Sequence, residues 1–189
     1  MWNGVLFIAY YKVATMAEYL GKNLQYGLRN STHEVTLREE LEQLDIYFSL
    51  INYQYRDRLK INIHISKSLY ECKVLKLIFQ PIIENCLFHG FSSSNQILSI
   101  DILGYSEYDT LCFSISDDGI GINKESLRKI QEDLEKSTPN RIGIYNVNRR
   151  IQLSYGFEYG LTIESIENQG TVVNISLPFK TEGTEMQNK

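Results

Sequence analysis

Excess basic charge, paired cysteines and long apolar runs are all lacking in this sequence, and each absence excludes something. Lys and Arg total 19 against 23 Asp and Glu, a net charge of -4. That balance leaves no general attraction for a polyanion, so no nucleic-acid partner is expected, although a total says nothing about local basic patches. The three cysteines, Cys72, Cys86 and Cys112, are odd in number and lie in apolar runs, without metal-ligand or redox-pair spacing. They read as reduced, buried thiols of a cytosolic protein. The longest apolar stretch, Val5 to Tyr11, stops at Lys12, far short of the roughly 20 residues a bilayer demands. It has no basic leader, which argues against a signal peptide. What is present is core: 43% of the 189 residues are hydrophobic, enough for one globular domain with a helical appendage. The abrupt opening M1-W-N-G-V-L-F7 reads as a piece cut from a longer chain.

Along the chain, Val13, Met16, Ala17, Leu20 and Leu24 fall on one stripe of a helix expected over residues 12 to 30. After a break at N30-S-T-H-E-V35, Thr36 is placed to cap a second helix, with Glu39 completing a capping box. Leu37, Leu41, Leu44, Phe48 and Ile51 continue that helix to about Tyr55. The two helices are expected to form a hairpin or dimerisation element. The period then changes. Ile61, Ile63 and Ile65 alternate with polar residues as in a strand with one wet face. A helix is expected from about Val74 to His89, then strands over 97–103 and 111–117. A polar, mobile flap follows over 123–140, with a short helical pattern at Leu127 to Leu134. The last elements are a helix over 144–155, strands over 161–166 and 171–177, and a frayed tail. The order implies an α+β layer, a mostly antiparallel sheet with helices on one face.

Three segments have the residue types for chemistry. In Q80-P-I-I-E-N-C-L-F-H-G90, Ile82, Ile83, Cys86 and Leu87 supply a buried stripe, while Asn85 and His89 share another face. Pro81 is expected to bend this helix near Phe79. The polar residues either serve a ligand or are simply wet. D117-D-G-I-G-I122 ends a strand; its glycines allow backbone to pass close to a ligand, or merely make a turn. Ionised Asp117 is an acceptor, suited to an exocyclic amine such as that of adenine. In R141-I-G-I-Y-N-V-N-R-R150, a glycine precedes a helix whose N-terminal N–H groups suit phosphates.

The order of these segments resembles the ATP-binding module of the gyrase and histidine-kinase superfamily, the Bergerat fold, over about residues 59 to 178. Q-P-I-I-E-N and I-G-I-Y-N-V-N-R-R-I-Q-L-S-Y-G resemble, more closely, bacterial sensor histidine kinases of the subclass with a Pro-His-Phe phosphoacceptor segment. T36-L-R-E-E-L-E and Y53-Q-Y-R-D-R-L59 resemble the helix that leads into the catalytic domain there. The resemblance implies a two-layer α/β sandwich binding ATP and Mg²⁺. It places Asn85 on the metal, Asp117 on adenine and His89 near the phosphates. Gly119, Gly121 and Gly143 shape the pocket, with Gly170 and Thr171 in the last box and residues 123 to 142 as the ATP lid.

Residues 1–57 would be a partial dimerisation region, 58–180 the catalytic domain and 181–189 a disordered tail. A response regulator is the implied partner, and the whole protein a membrane-anchored homodimer with this part in the cytoplasm. None of His33, His64 and His89 has the Pro-His-Phe context, so the segment is expected to bind ATP without phosphorylating itself. Two positions depart from the pattern. Phe88 replaces a lysine common near the triphosphate, and Arg141 stands where the wider superfamily has a glycine, within reach of a phosphate. Pro81 falls where hydrolysing relatives carry a water-activating glutamate, which favours phosphotransfer to a protein histidine. Glu84, beside Asn85, would orient it or act as a weak base. The competing readings are an ATP-driven clamp of the gyrase or mismatch-repair type, and a degenerate, non-catalytic module.

Overall fold

The computed structural model describes residues 34–55, 58–91, 96–136 and 143–181, together with Gly21. The helix expected over 12–30 (Gly21 apart), Arg141 and most of the polar tail lie outside the described residues. Five strands form one sheet: β2 (Leu59–Ile65), β4 (Leu98–Glu107), β5 (Thr110–Asp117), β6 (Gly160–Ile166) and β7 (Gly170–Pro178). Their order is β2-β4-β5-β7-β6. Only β2 and β4 run parallel; the other neighbours are antiparallel. Three helices cover one face: α2 (Gln80–Gly90), α3 (Lys124–Lys136) and α4 (Ile144–Tyr155). The alternation read in L111-C-F-S-I-S116 sets this up. Leu111, Phe113 and Ile115 are buried beneath the helices, whereas Cys112, Ser114 and Ser116 stay partly open on the other face. Phe79, just before α2, meets Phe113 edge to face with ring centroids 4.9 Å apart, a geometry aromatic quadrupoles favour.

A short strand β1 (Glu34–Thr36) pairs antiparallel with β3 (Lys73–Leu75), and helix α1 (Leu37–Tyr55) follows it. The capping box is formed in both directions. Thr36 N–H donates to Glu39 Oε2 at 2.9 Å, and Glu39 N–H donates to Thr36 Oγ1 at 3.2 Å. The stripe Leu37, Leu41, Leu44, Phe48 and Ile51 is buried in the same continuous core as Ile82, Ile83, Leu98 and Phe113. That stripe is used within the chain. The face of α1 turned outward carries Arg38, Glu39, Glu42, Asp45, Ser49 and Asn52, all exposed.

The helix expected from Val74 begins six residues later. Val74 and Leu75 belong to β3, and Leu77 adopts φ 54, which no helix continues. Pro81 falls in the first turn of α2, where the missing N–H costs nothing, so it starts the helix instead of bending it. Of the stretch expected as a flap, residues 124–136 form α3, started by Asn123, whose Oδ1 accepts from Ser126 N–H at 2.9 Å. Leu134 is buried, and Leu127 and Ile130 pack against the core. No helix among the described residues is long and apolar enough to cross a membrane.

Candidate functional site

The turn after β5 is built by its two aspartates acting in different directions. Asp118 fastens it to the neighbouring strand: its Oδ1 accepts from Ser99 N–H at 2.7 Å and its own N–H donates to Ser99 O at 3.2 Å. Asp117 turns inward, with Oδ1 accepting from Gly119 N–H at 2.9 Å. The Cys86 thiol, on α2, donates to the same carboxylate. Burial is the largest influence on Asp117 and pushes its carboxyl above the usual range. The N–H groups of Gly119 and Thr171 and the Cys86 thiol oppose that shift.

The glycines here are required by backbone meeting backbone. A Cβ on Gly119 would lie 2.5 Å from Gly90 Cα, and one on Gly121, at φ +63, would lie 2.1 Å from Ile166 O. The loop is thus threaded between the end of α2 and the β6–β7 hairpin. Ile120 N–H donates to Gly90 O at 3.1 Å, and Asn168 N–H to Ile120 O at 2.6 Å. Ile122 N–H donates to Ser165 Oγ at 2.8 Å, and that hydroxyl lies 3.0 Å from Thr171 Oγ1.

Around this turn opens a cavity of about 680 Å³, within the range of small-molecule sites. Asn85, Cys86 and His89 reach it from α2, Asp117 and Gly121 from the turn, and Thr171 from β7. Ile82, Ile130, Ile144, Ile163 and Val173 supply apolar walls, suited to a flat ring whose polar edge needs one acceptor. Gly143 is the N-cap of α4 at φ 84 and, being glycine, brings no side chain of its own to that helix end. A Cβ on it would sit 3.8 Å from Asn85 Nδ2 and 3.9 Å from Asn85 Oδ1. The N-terminus of a helix therefore lies beside a side-chain oxygen, a pairing that suits an anion accompanied by a cation.

The structure thus brings Asn85, His89, Asp117, Gly121 and Thr171 into one cavity, with Gly119 supporting Asp117 and Gly143 against Asn85. Glu84 is not among the lining residues. Its carboxylate accepts from Gln80 Nε2 at 2.9 Å, and its charge helps raise Tyr47 on α1, so it faces that helix. Neighbours on a helix point about 100° apart, which is why Asn85 and Glu84 diverge. Phe88 is 78% exposed.

Sequence reasoning missed two supporting residues. Cys86 was placed only on the apolar stripe of α2, yet its thiol holds Asp117. Asn148, 4% exposed, donates from Nδ2 to Leu134 O at 3.1 Å and accepts Leu161 N–H at 2.8 Å, joining α3, α4 and β6. Its place on the face of α4 that carries Ile144 and Ile151 is the signal that would have found it.

A two-layer sandwich with an inward-turned carboxylate at a strand end, and an amide facing a glycine-capped helix, has the outline of an ATPase-type nucleotide-binding domain. Residues 72–181 match the family described as Histidine kinase-, DNA gyrase B-, and HSP90-like ATPase. The match covers more than half the chain, and the chain belongs to that family.

Among curated relatives, it is 31% identical over 165 residues to sensor protein LytS of Staphylococcus saprophyticus, covering 87% of this chain and 27% of that protein. It is 28% identical over 167 residues to sensor protein kinase HptS of Staphylococcus aureus, covering 87% and 32%. The chain therefore spans about a third or less of the length of these relatives. In fold it resembles the catalytic domain of histidine kinase ThkA, with a TM-score of 0.58 at 17% identity, covering 79% of this chain and 97% of that one. ThkA has also been solved in complex with response regulator protein TrrA; there the TM-score is 0.54 at 17% identity, covering 93% of this chain and 51% of that one. The chain is homologous to the ATP-binding catalytic part of sensor histidine kinases.

Proposed function

We propose that this domain holds Mg·ATP and delivers its γ-phosphate to a protein histidine for relay to a response regulator. One observation carries the reading: Asn85 and Asp117, 32 positions apart, line one cavity, with the glycine-capped N-terminus of α4 against the Asn85 amide. In this reading Asp117 accepts a hydrogen bond from the adenine amine. The apolar walls take the ring, and the first N–H groups of α4 meet phosphate. Mg²⁺ favours oxygen ligands and keeps several waters, so one amide oxygen from Asn85, with phosphate oxygens, suits it. The residues present fit such an ion. When bound, the ion neutralises charge on the phosphates. The chain's own residues orient the triphosphate and hold the purine.

Glu84 has no part in the chemistry we propose; it packs α2 against α1. The 680 Å³ cavity with its half-buried carboxylate is our reason for preferring a nucleotide-binding domain to a degenerate module. Pro81 at the start of α2, where a hydrolytic clamp needs a glutamate, favours phosphotransfer over hydrolysis. We further propose that residues 34–55 belong with the nucleotide-binding unit, whose core they share. The whole protein is, on this reading, a membrane-anchored homodimer acting in the cytoplasm, partnered by a response regulator as ThkA is.

Titrating the chain with ATP, with and without Mg²⁺, tests the proposal. Wild type should bind more tightly with the metal, and Asn85→Ala should lose most of that increment, roughly ten-fold in affinity for one lost charge-assisted contact of about 1.5 kcal/mol. Equal binding with and without Mg²⁺ in both proteins would sink it.

A pH dependence follows as well. The purine amine needs an ionised Asp117, and burial raises this carboxyl, so protonation sets in at a higher pH than for an ordinary aspartate. Adenosine affinity should therefore fall as pH falls, starting above the usual aspartate range. Titration calorimetry with adenosine, which carries no phosphate to titrate, checks this, and a flat profile down to the ordinary aspartate range would refute it.

A further inference from the structure

Glu40 is only 2% exposed although it carries a carboxylate. Its two oxygens take the N–H groups of consecutive residues: Leu77 N–H donates to Oε2 at 2.9 Å and Ile78 N–H to Oε1 at 3.0 Å. The half-buried guanidinium of Arg150 on α4, near enough to Glu40 to feel its charge, donates to the carbonyl of Lys76. Three successive residues of the turn between β3 and α2 are thus held by side chains of two helices distant in sequence. The turn needs holding. Leu77 is a non-glycine residue at φ 54, a conformation that persists only where surroundings enforce it.

What that turn governs is the cavity. Helix α2 starts at Gln80 with no side-chain cap on Phe79, and it carries Asn85 and His89 into the site. Helix α4, held through Arg150, is N-capped by Gly143, which sits against the Asn85 amide. Helix α1 also stays beside α2 further along. Tyr47 lies near enough to Glu84 to feel its charge, and the Tyr55 ring stacks on Phe91 at 5.2 Å with planes 5° apart. Asp117 hangs instead from β5, with Asp118 and Gly119 fixing it; it meets α2 through the Cys86 thiol, well down that helix from the turn.

We propose that Glu40 and Arg150 are positioning residues for the nucleotide site. Together they lock the turn at Lys76 to Ile78, keep Asn85 and Gly143 in register, and make α1 the strap through which displacement reaches the metal–phosphate end of the cavity. The proposal rests on the reading of that cavity as a Mg·ATP site. Its signature is a split between ligands: disturbing the turn should weaken contacts to metal and phosphate while sparing those to the purine.

The test compares Mg·ATP with adenosine by titration calorimetry on wild type, Glu40→Gln and Arg150→Met. Glutamine keeps the shape of Glu40 but turns an NH₂ toward one of the two N–H groups it must accept. Each variant should lose ten-fold or more in Mg·ATP affinity and change by less than two-fold for adenosine. The double variant should lose little beyond either single one, because the two residues act on the same turn. Equal losses for both ligands, or no loss in a folded variant, would overturn the proposal.

A measurement on wild type avoids any question of folding. Mg·ATP should slow amide exchange at Leu77 and Ile78 several-fold, and adenosine should not. Exchange indifferent to Mg·ATP would also overturn the proposal. Wild type that binds neither ligand would overturn the Mg·ATP reading itself. Wild type that binds both, with variants that do not discriminate, would overturn only the roles of Glu40 and Arg150.

Discussion

Asp117→Asn should weaken ATP binding by roughly 100-fold while leaving the melting temperature unchanged or higher. The two effects have one cause. Gly119 N–H and the Cys86 thiol already occupy the carboxylate from inside the protein, and an asparagine oxygen can satisfy them. Its NH₂ is then left toward the purine amine, donor against donor. A lost charge-assisted hydrogen bond is worth about 1.5–3 kcal/mol, and each 1.4 kcal/mol is tenfold in affinity. Stability moves the other way. A carboxyl raised on folding holds its proton more tightly in the folded state, so its ionisation at neutral pH costs folding free energy. The neutral amide removes that cost. Thermal unfolding and nucleotide titration of the same sample check both halves; a variant that binds ATP normally removes Asp117 from the site.

Gly170→Ala should have the largest effect on stability of any single methyl added to this chain among the described glycines. The residue sits at φ +106, and a Cβ would lie 1.9 Å from Asp117 O and 3.1 Å from Asp118 Cα. Neither side can retreat. Asp117 is paired with Thr171 across β5 and β7, and Ser165 Oγ donates to Gly170 O at 2.7 Å. Strain and overpacking each cost about 1–3 kcal/mol. A combined loss of about 3 kcal/mol lowers the melting temperature of a domain this size by roughly 6–12 °C. Because the collision falls on the carbonyl of Asp117, adenosine affinity should fall as well in the protein that remains folded. Differential scanning calorimetry with and without adenosine measures both. An unchanged melting temperature would show that the hairpin opens far more easily than its hydrogen bonds imply.

Much of this was legible because the pattern and the fold agree locally. L111-C-F-S-I-S116 alternates and lies half-buried; T36-L-R-E39 spells a capping box and forms one. The start of α2 was not legible. V74-L-K-L-I-F79 is nearly continuous apolar sequence, in which periodicity cannot separate strand from helix. The break at Leu77 is enforced by Glu40, 37 positions earlier, and nothing near Leu77 announces it. The site divides in the same way. Asn85, Asp117 and Gly143 stood out through residue type and order, whereas the services of Cys86, Asn148 and Arg150 depend on neighbours contributed by other elements. Gly119 and Gly121 were expected to let backbone approach a ligand. The protein's own backbone also presses on them, within 2.5 Å and 2.1 Å of where a Cβ would stand, a constraint that only three dimensions supply.

The lone parallel pairing in the sheet has a consequence for assembly. Strands β4 and β5 can zip from a tight hairpin, as can β6 and β7, but β2 joins β4 only after residues 66–97 have crossed over and laid α2 against the sheet. The edge strand and the helix bearing Asn85 are therefore coupled through one crossover. In a molecule opened at that edge they would be released together, leaving a four-stranded antiparallel remnant that still carries Asp117 but has lost Asn85.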